Sequence, residues 1–93
     1  MRLVRSSSRF KKSLKRYLRS GRFDRNELQT VIEFLARGED LDPAYQDHEL
    51  SGELAGHREC HIRPDLLLIY RFENNNLVLV LVNLGGHSDL FGE

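Results

Sequence analysis

Apolar and polar positions alternate along this chain with two different periods. Behind the serines at 6 to 8, Phe10, Leu14, Tyr17 and Leu18 recur at i, i+4, i+7 and i+8, one stripe of an amphipathic helix. Lys11, Lys12, Lys15, Arg16 and Arg19 fill its other faces, a serine supplies the N-cap and Gly21 the stop. Leu28, Val31, Ile32 and Leu35 repeat at i, i+3, i+4 and i+7 and predict a second helix closed by Gly38. Asp24 and Glu27 before it have the spacing of a capping box. Two helices joined so closely pack as an antiparallel hairpin. After residue 56 the period shortens. "HRECHI" alternates, "RPD" is a turn, "LLLIYRF" is a continuous apolar run, "ENNN" turns again, and "LVLVLVNL" is a second run. With "RLVR" as a short N-terminal strand, the pattern predicts an α+β two-layer domain over residues 1–93: a helix hairpin packed on an antiparallel β-meander.

Two features do not fit that simple layering. The continuous runs predict strands covered on both faces, whereas the helix hairpin covers one. The segment "EDLDPAYQDHELSGELAG", residues 39 to 56, shows neither period, and so long an irregular stretch in a small domain carries function or wraps the core.

Composition narrows the classes. A chain of 93 residues, 40% hydrophobic and 30% charged, is globular and not disordered. The single cysteine, Cys60, excludes a disulfide framework and a thiolate zinc cluster and suits a reducing compartment. No apolar run approaches the length of a membrane span or a secretory signal, so a cytoplasmic location is expected. The formal net charge of zero conceals segregation. Residues 1 to 37 hold eleven Lys/Arg against three Asp/Glu, and residues 38 to 93 hold three against eleven. A basic half of this kind is a footprint for a polyanion or an acidic partner; equally, a Lys/Arg-rich helix pair keeps a chain soluble.

The candidate chemistry lies in four histidines, at 48, 57, 61 and 87, none of them expected in the core. His61 and Asp65 flank one hairpin turn, and His87 leaves the last strand at the same end of the meander. The loop can bring His48 there. His57 and His61 are a poor metal pair, because i and i+4 on a strand are about 13 Å apart, so no metal is expected. Titration near neutrality suits histidines to acid–base work instead. Cleavage of RNA by its own 2′-hydroxyl needs a base, an acid and a cation near the phosphate. A basic helix can follow the backbone, and an aromatic such as Phe91 can stack on a base. Singly, each histidine reads as a solvated strand-end residue, and Asp65 as a turn former.

The order "YQDHEL … LAGHRECHIRPDLLLIYRF … LVNLGGHSDLF" resembles the YafQ branch of the RelE-like toxins of bacterial type II toxin–antitoxin systems, closely over residues 45 to 92. The resemblance implies a RelE-like fold and a ribosome-dependent mRNA endonuclease without cofactor. By position it implies catalytic roles for His48, His61, Asp65 and His87, with Phe91 holding a nucleotide. It further implies a cognate antitoxin, commonly of ribbon-helix-helix type, through which alone operator DNA is contacted. The chain departs from the family pattern at Asn83, where Arg is frequent, at Leu66, where Trp is frequent, and at Gly86. Arg58, Arg63 and Arg71 are the candidates for the missing cation, and Arg58 and Arg63 are expected to bind substrate. Two other readings stay open: a degenerate binding module that engages antitoxin or ribosome without cutting, and a ParE-like toxin directed at gyrase.

Overall fold

A computed structural model describes residues 1 to 21 and 23 to 91. Strand β1 (Leu3–Ser6) leads into helix α1 (Ser8–Ser20), which α2 (Arg25–Arg37) follows. Two short 3-10 turns, Pro43–Tyr45 and Gly52–Leu54, bracket β2 (His48–Glu49). The chain then forms β3 (Arg58–Arg63), β4 (Leu66–Glu73), β5 (Val78–Gly85) and a one-turn helix α3 (His87–Phe91). The sheet order is β1-β5-β4-β3-β2, antiparallel throughout except that β1 runs parallel to β5. This is the expected α+β, RelE-like architecture, extended by β2 at one edge and α3 at the end. Among the described residues no helix is long and apolar enough to cross a membrane.

Local chemistry accounts for the boundaries. Ser7 caps α1, its hydroxyl accepting from the Phe10 amide at 3.0 Å. Asp24 caps α2 by accepting from the Asn26 amide at 2.9 Å. The capping box does not close, because Glu27 turns away to pair with Arg63 at 3.1 Å. Gly38 ends α2 at φ 77°, where its amide reaches back to the carbonyls of Phe34 and Leu35. The β4–β5 turn holds Asn74, Asn75 and Asn76 at φ 53°, 54° and 65°, the left-handed region that asparagine tolerates better than most residues.

The core lies between the helix hairpin and the inner face of the sheet. Phe10, Leu28, Val31 and Leu35 meet Cys60, Ile62, Leu68, Tyr70, Leu79, Leu81 and Leu84, all buried. Each fully buried leucine-sized side chain is worth roughly 1.5–3 kcal/mol, so the leucine-rich runs of β4 and β5 anchor the fold. Leu41 and Tyr45 from the irregular segment pack against the same cluster. Leu18 departs from the expected stripe: it is 40% exposed, while Ser13 takes an inward position on α1. Ser13 is held there by a bulge in β5 opposite Ile69 and Tyr70 that leaves Asn83 facing α1, where its Oδ1 accepts from the Ser13 hydroxyl at 3.0 Å.

The outer face answers the question of double coverage. Leu67, Ile69 and Val80 are buried there, outside the helix-side cluster. At one end Arg5 and Arg71 both pair with Glu73, each at 2.6 Å. These two guanidinium groups hold the Glu73 carboxyl below its usual range, the Arg71 hydrogen bond contributing most. The other end of this face carries the histidines.

Candidate active site

Alternation along β3 sends Cys60 and Ile62 into the core and Glu59 and His61 to the outer face. Pairing of β2 with β3 sets His48 directly across from Glu59. Gln46, in the left-handed region at φ 51°, ends the 3-10 turn before β2, and its carbonyl lies 2.7 Å from His48 Nδ1. A carbonyl only accepts, so Nδ1 carries the hydrogen and the ring presents Nε2 to the site. The Nε2 atoms of His48 and His61 stand 3.7 Å and 3.5 Å from the same Glu59 oxygen. Their ring centroids are 6.3 Å apart.

The last strand delivers the remaining groups. After Gly85 the chain reverses through Gly86 into α3, whose i, i+4 spacing puts His87 and Phe91 on one side, ring centroids 5.3 Å apart. The reversal leaves little room for a side chain at either glycine. A Cβ on Gly85 would come within 2.9 Å of the Asp89 Cβ, and one on Gly86 within 3.1 Å of the Asp65 carbonyl oxygen. From the opposite side of α3, Asp89 ties the helix down. Its Oδ2 accepts from the Gly86 amide at 3.3 Å and the Tyr17 hydroxyl at 3.2 Å, with Arg16 at 3.9 Å. Burial, and then the Asp89 carboxylate, push the Tyr17 hydroxyl above its ordinary pKa, so it stays a donor to Asp89 across the physiological range.

His48, Leu50, Glu59, His61, His87 and Phe91 thus line one cavity of about 430 Å³ on the outer face. Its chemistry is that of proton transfer: three imidazoles around a carboxylate, with an aromatic ring at the mouth. Among the described residues no set of three or more His, Cys, Asp or Glu is arranged to hold a metal ion.

Residues 2–92 match the family described as bacterial toxin of type II toxin–antitoxin system, YafQ. The chain belongs to the YafQ toxin family. The mRNA interferase toxin YafQ of Escherichia coli K12 is 34% identical over 70 residues, 74% of each chain. A copper-bound mutant toxin from Helicobacter pylori superposes with a TM-score of 0.92 at 41% identity, covering 98% of this chain and 100% of that one. YafQ in the E. coli DinJ–YafQ complex gives 0.85 at 30% identity, over 99% of this chain and 100% of that one.

In this YafQ-family chain the residues singled out from sequence separate into groups. His48, His61, His87 and Phe91 converge as expected. Asp65 sits at the same end of the sheet with its main chain against Gly86, but its exposed side chain does not line the cavity. Arg58 points to the inner face, opposite His61, and is held by Asp47 at 3.2 Å and Glu49 at 3.4 Å. Arg63 is engaged by Glu27 beside another cavity of about 810 Å³ between α2, the 41–46 segment and the end of β3, which His61 also lines. Arg71 belongs to the Glu73 pair. Neither Arg58 nor Arg63 lines the histidine cavity: strand alternation and local carboxylates hold both beside it. His57 lies before β3 and not on it, its Nδ1 on the Leu54 carbonyl at 3.2 Å.

Glu59 was missed. It is the residue on which two of the imidazoles converge, and it is only 3% exposed. The signal was present in "RECHI": position 59 shares the face of position 61 by strand alternation.

Proposed function

We propose that this toxin is a ribosome-dependent, metal-free mRNA endonuclease that works in the cytoplasm as one domain spanning the whole chain. The observation that carries the reading is the single outer-face cavity shared by His48, Glu59, His61, His87 and Phe91. One histidine takes the proton of a 2′-hydroxyl, the 2′-oxygen bonds to the adjacent phosphorus, and the bond from phosphorus to the 5′-oxygen breaks. A second histidine donates a proton to that departing oxygen, leaving a 2′,3′-cyclic phosphate and a free 5′-hydroxyl. His61 and His87 move the protons, His48 contacts the phosphate, and Glu59 orients the two imidazoles nearest it. Phe91, 37% exposed, offers its ring to a base, and Asp65 supports the Gly86–His87 turn through its main chain.

The partners in this reading are mRNA, the ribosome and a cognate antitoxin of ribbon-helix-helix type, with operator DNA reached through the antitoxin. The E. coli DinJ–YafQ complex supports the antitoxin, and the E. coli relative's name as an mRNA interferase supports the reaction. Primer extension on an mRNA incubated with the purified protein, with and without 70S ribosomes, tests it. Cuts that require ribosomes and vanish in His87→Ala are expected. An intact message from folded, antitoxin-free protein would reject the nuclease.

One observation favours a second reading, a binding module that no longer cuts. Among the described residues none lining the histidine cavity is Lys or Arg, so the phosphate would meet imidazoles and the Glu59 carboxylate without a guanidinium or ammonium group beside it. The same experiment separates the two.

A further inference from the structure

On the far side of α3 lies a second, smaller cavity, about 310 Å³, between that helix and α1. Arg9, Lys12 and Arg16 reach it from α1, at i, i+3 and i+7 and therefore on one stripe. Ser13, Asn83 and Asp89 complete its polar lining. Helix α1 contains no acidic residue to neutralise that stripe. Arg9 and Lys12 have no ion-pair partner among the described residues. Arg16 lies over the Tyr17 ring at 5.7 Å and has Asp89 as its ion-pair partner, at 3.9 Å with both side chains at least half exposed, a contact worth about 0–1 kcal/mol and easily exchanged for another anion. Asp89 itself is occupied by the Tyr17 hydroxyl and the Gly86 amide.

Asn83 adds a directional donor. Its Oδ1 accepts from the Leu84 amide at 2.9 Å and from the Ser13 hydroxyl at 3.0 Å. A backbone N–H can only donate, so the oxygen is fixed on that side and the Nδ2 amide group is left without a partner in a residue that lines the cavity. Three cations and one fixed neutral donor against the single Asp89 carboxylate leave this small polar hollow net positive, as an anion the size of a phosphate requires.

We propose that this hollow is a second subsite that takes a backbone phosphate of the single-stranded RNA whose cleavage is proposed above, and the inference rests on that reading. His87 and Phe91 face one cavity and Asp89 faces the other, so the two sites lie on opposite sides of a helix about 10 Å across. The strand crosses α3: one phosphate reacts among the histidines, and another is held by Arg9, Lys12, Arg16 and the Asn83 amide. The subsite supplies grip and direction to a reaction cavity that has no cation of its own.

The test is fluorescence anisotropy with a labelled, fully 2′-O-methylated RNA decamer, which binds without being cut, between about 50 and 200 mM salt. Arg9→Gln/Lys12→Gln is expected to weaken binding about tenfold and to flatten the log–log salt slope by about 0.7, the value of one single-strand phosphate contact. Asn83→Asp preserves both hydrogen bonds accepted by Oδ1 and replaces the free donor with a carboxylate oxygen. It should weaken binding as much while leaving the thermal midpoint in place. Lys11→Gln/Lys15→Gln removes the same charge from neighbouring positions on α1 and should cost less than about threefold. Equal losses in the two double variants, an unaffected Asn83→Asp, or no RNA binding by the wild type would each overturn the subsite. Competition by inorganic phosphate at matched ionic strength, as strong per mole as by the decamer, would overturn it in favour of a site for free anions. Ribosome-dependent cleavage by the wild type is scored separately. Binding that follows this pattern without cleavage would reject the nuclease and keep the subsite, whereas cleavage with equal losses in the two double variants would reject the subsite alone.

Discussion

The two faces of the sheet each carry a half-hidden carboxylate, and they use it in opposite ways. On the inner face Asp47 accepts the Tyr70 hydroxyl at 2.6 Å and Arg58 Nε at 3.2 Å. Its charge is balanced by Arg58 and its Oδ1 accepts both bonds, and the network ties the loop before β2 to the core. On the outer face the Glu59 side chain is more hidden, 4% exposed against 23% for Asp47. Its partners are two imidazoles at 3.5 and 3.7 Å, longer than good hydrogen bonds. Burying a carboxylate so loosely paired costs stability, and such costs are tolerated where chemistry needs them. A closed network marks structure, and an open one marks a site waiting for its substrate.

Removing an imidazole from the open network should have the largest effect. His61→Ala or His87→Ala should lower ribosome-dependent cleavage by about 10²-fold or more, with urea midpoints unchanged; a parallel loss of stability would make these residues structural. Next comes the closed network. Asp47→Ala strands the buried Tyr70 hydroxyl and frees Arg58, and should cost about 2 kcal/mol in urea unfolding. Glu59→Gln is the direct contrast. It keeps the shape and removes the charge, so cleavage should fall about tenfold, some 1.4 kcal/mol in barrier, while stability holds or rises. A destabilisation equal to that of Asp47→Ala would erase the distinction between the faces.

A separate effect appears at high pH and comes from two buried side chains of the inner face. Burial, reinforced by the Asp47 and Glu59 carboxylates, pushes the Cys60 thiol up to about 12 from 9.0. Burial and the hydrogen bond to Asp47 raise the Tyr70 hydroxyl well above its usual 10.0. Both groups bind their protons more tightly folded than unfolded. Their contribution is therefore complete below pH 9 to 10 and declines above it as the unfolded chain ionises first, by up to about 1.4 kcal/mol per pH unit for each group. Chemical denaturation from pH 8 to 11 should show this decline, and Cys60→Ala should flatten it. An unchanged slope in that variant would show that the thiol ionises as readily folded as unfolded.

Local patterns determined most of the layers and three of the cavity's four titratable groups. The period-3.6 stripes and period-2 runs each need only near neighbours along the chain, which is why α1, α2 and the meander were readable from residue spacing. So was the shared face of Glu59 and His61, although its meaning was overlooked. The identity of the site residues followed from family resemblance more than from spacing, since a lone histidine at a strand end is unremarkable chemistry. What remained hidden depends on contacts between distant segments. Only the register of β2 on β3 puts His48 opposite Glu59. The bulge in β5 turns Asn83 toward Ser13. Arg58 and Arg63 bear the same charge anywhere, and their use was decided by which carboxylates, Asp47, Glu49 and Glu27, the fold brings beside them. Periodicity is a property of one segment, whereas the pairing of a charge is a property of two, and the second segment is chosen by tertiary structure.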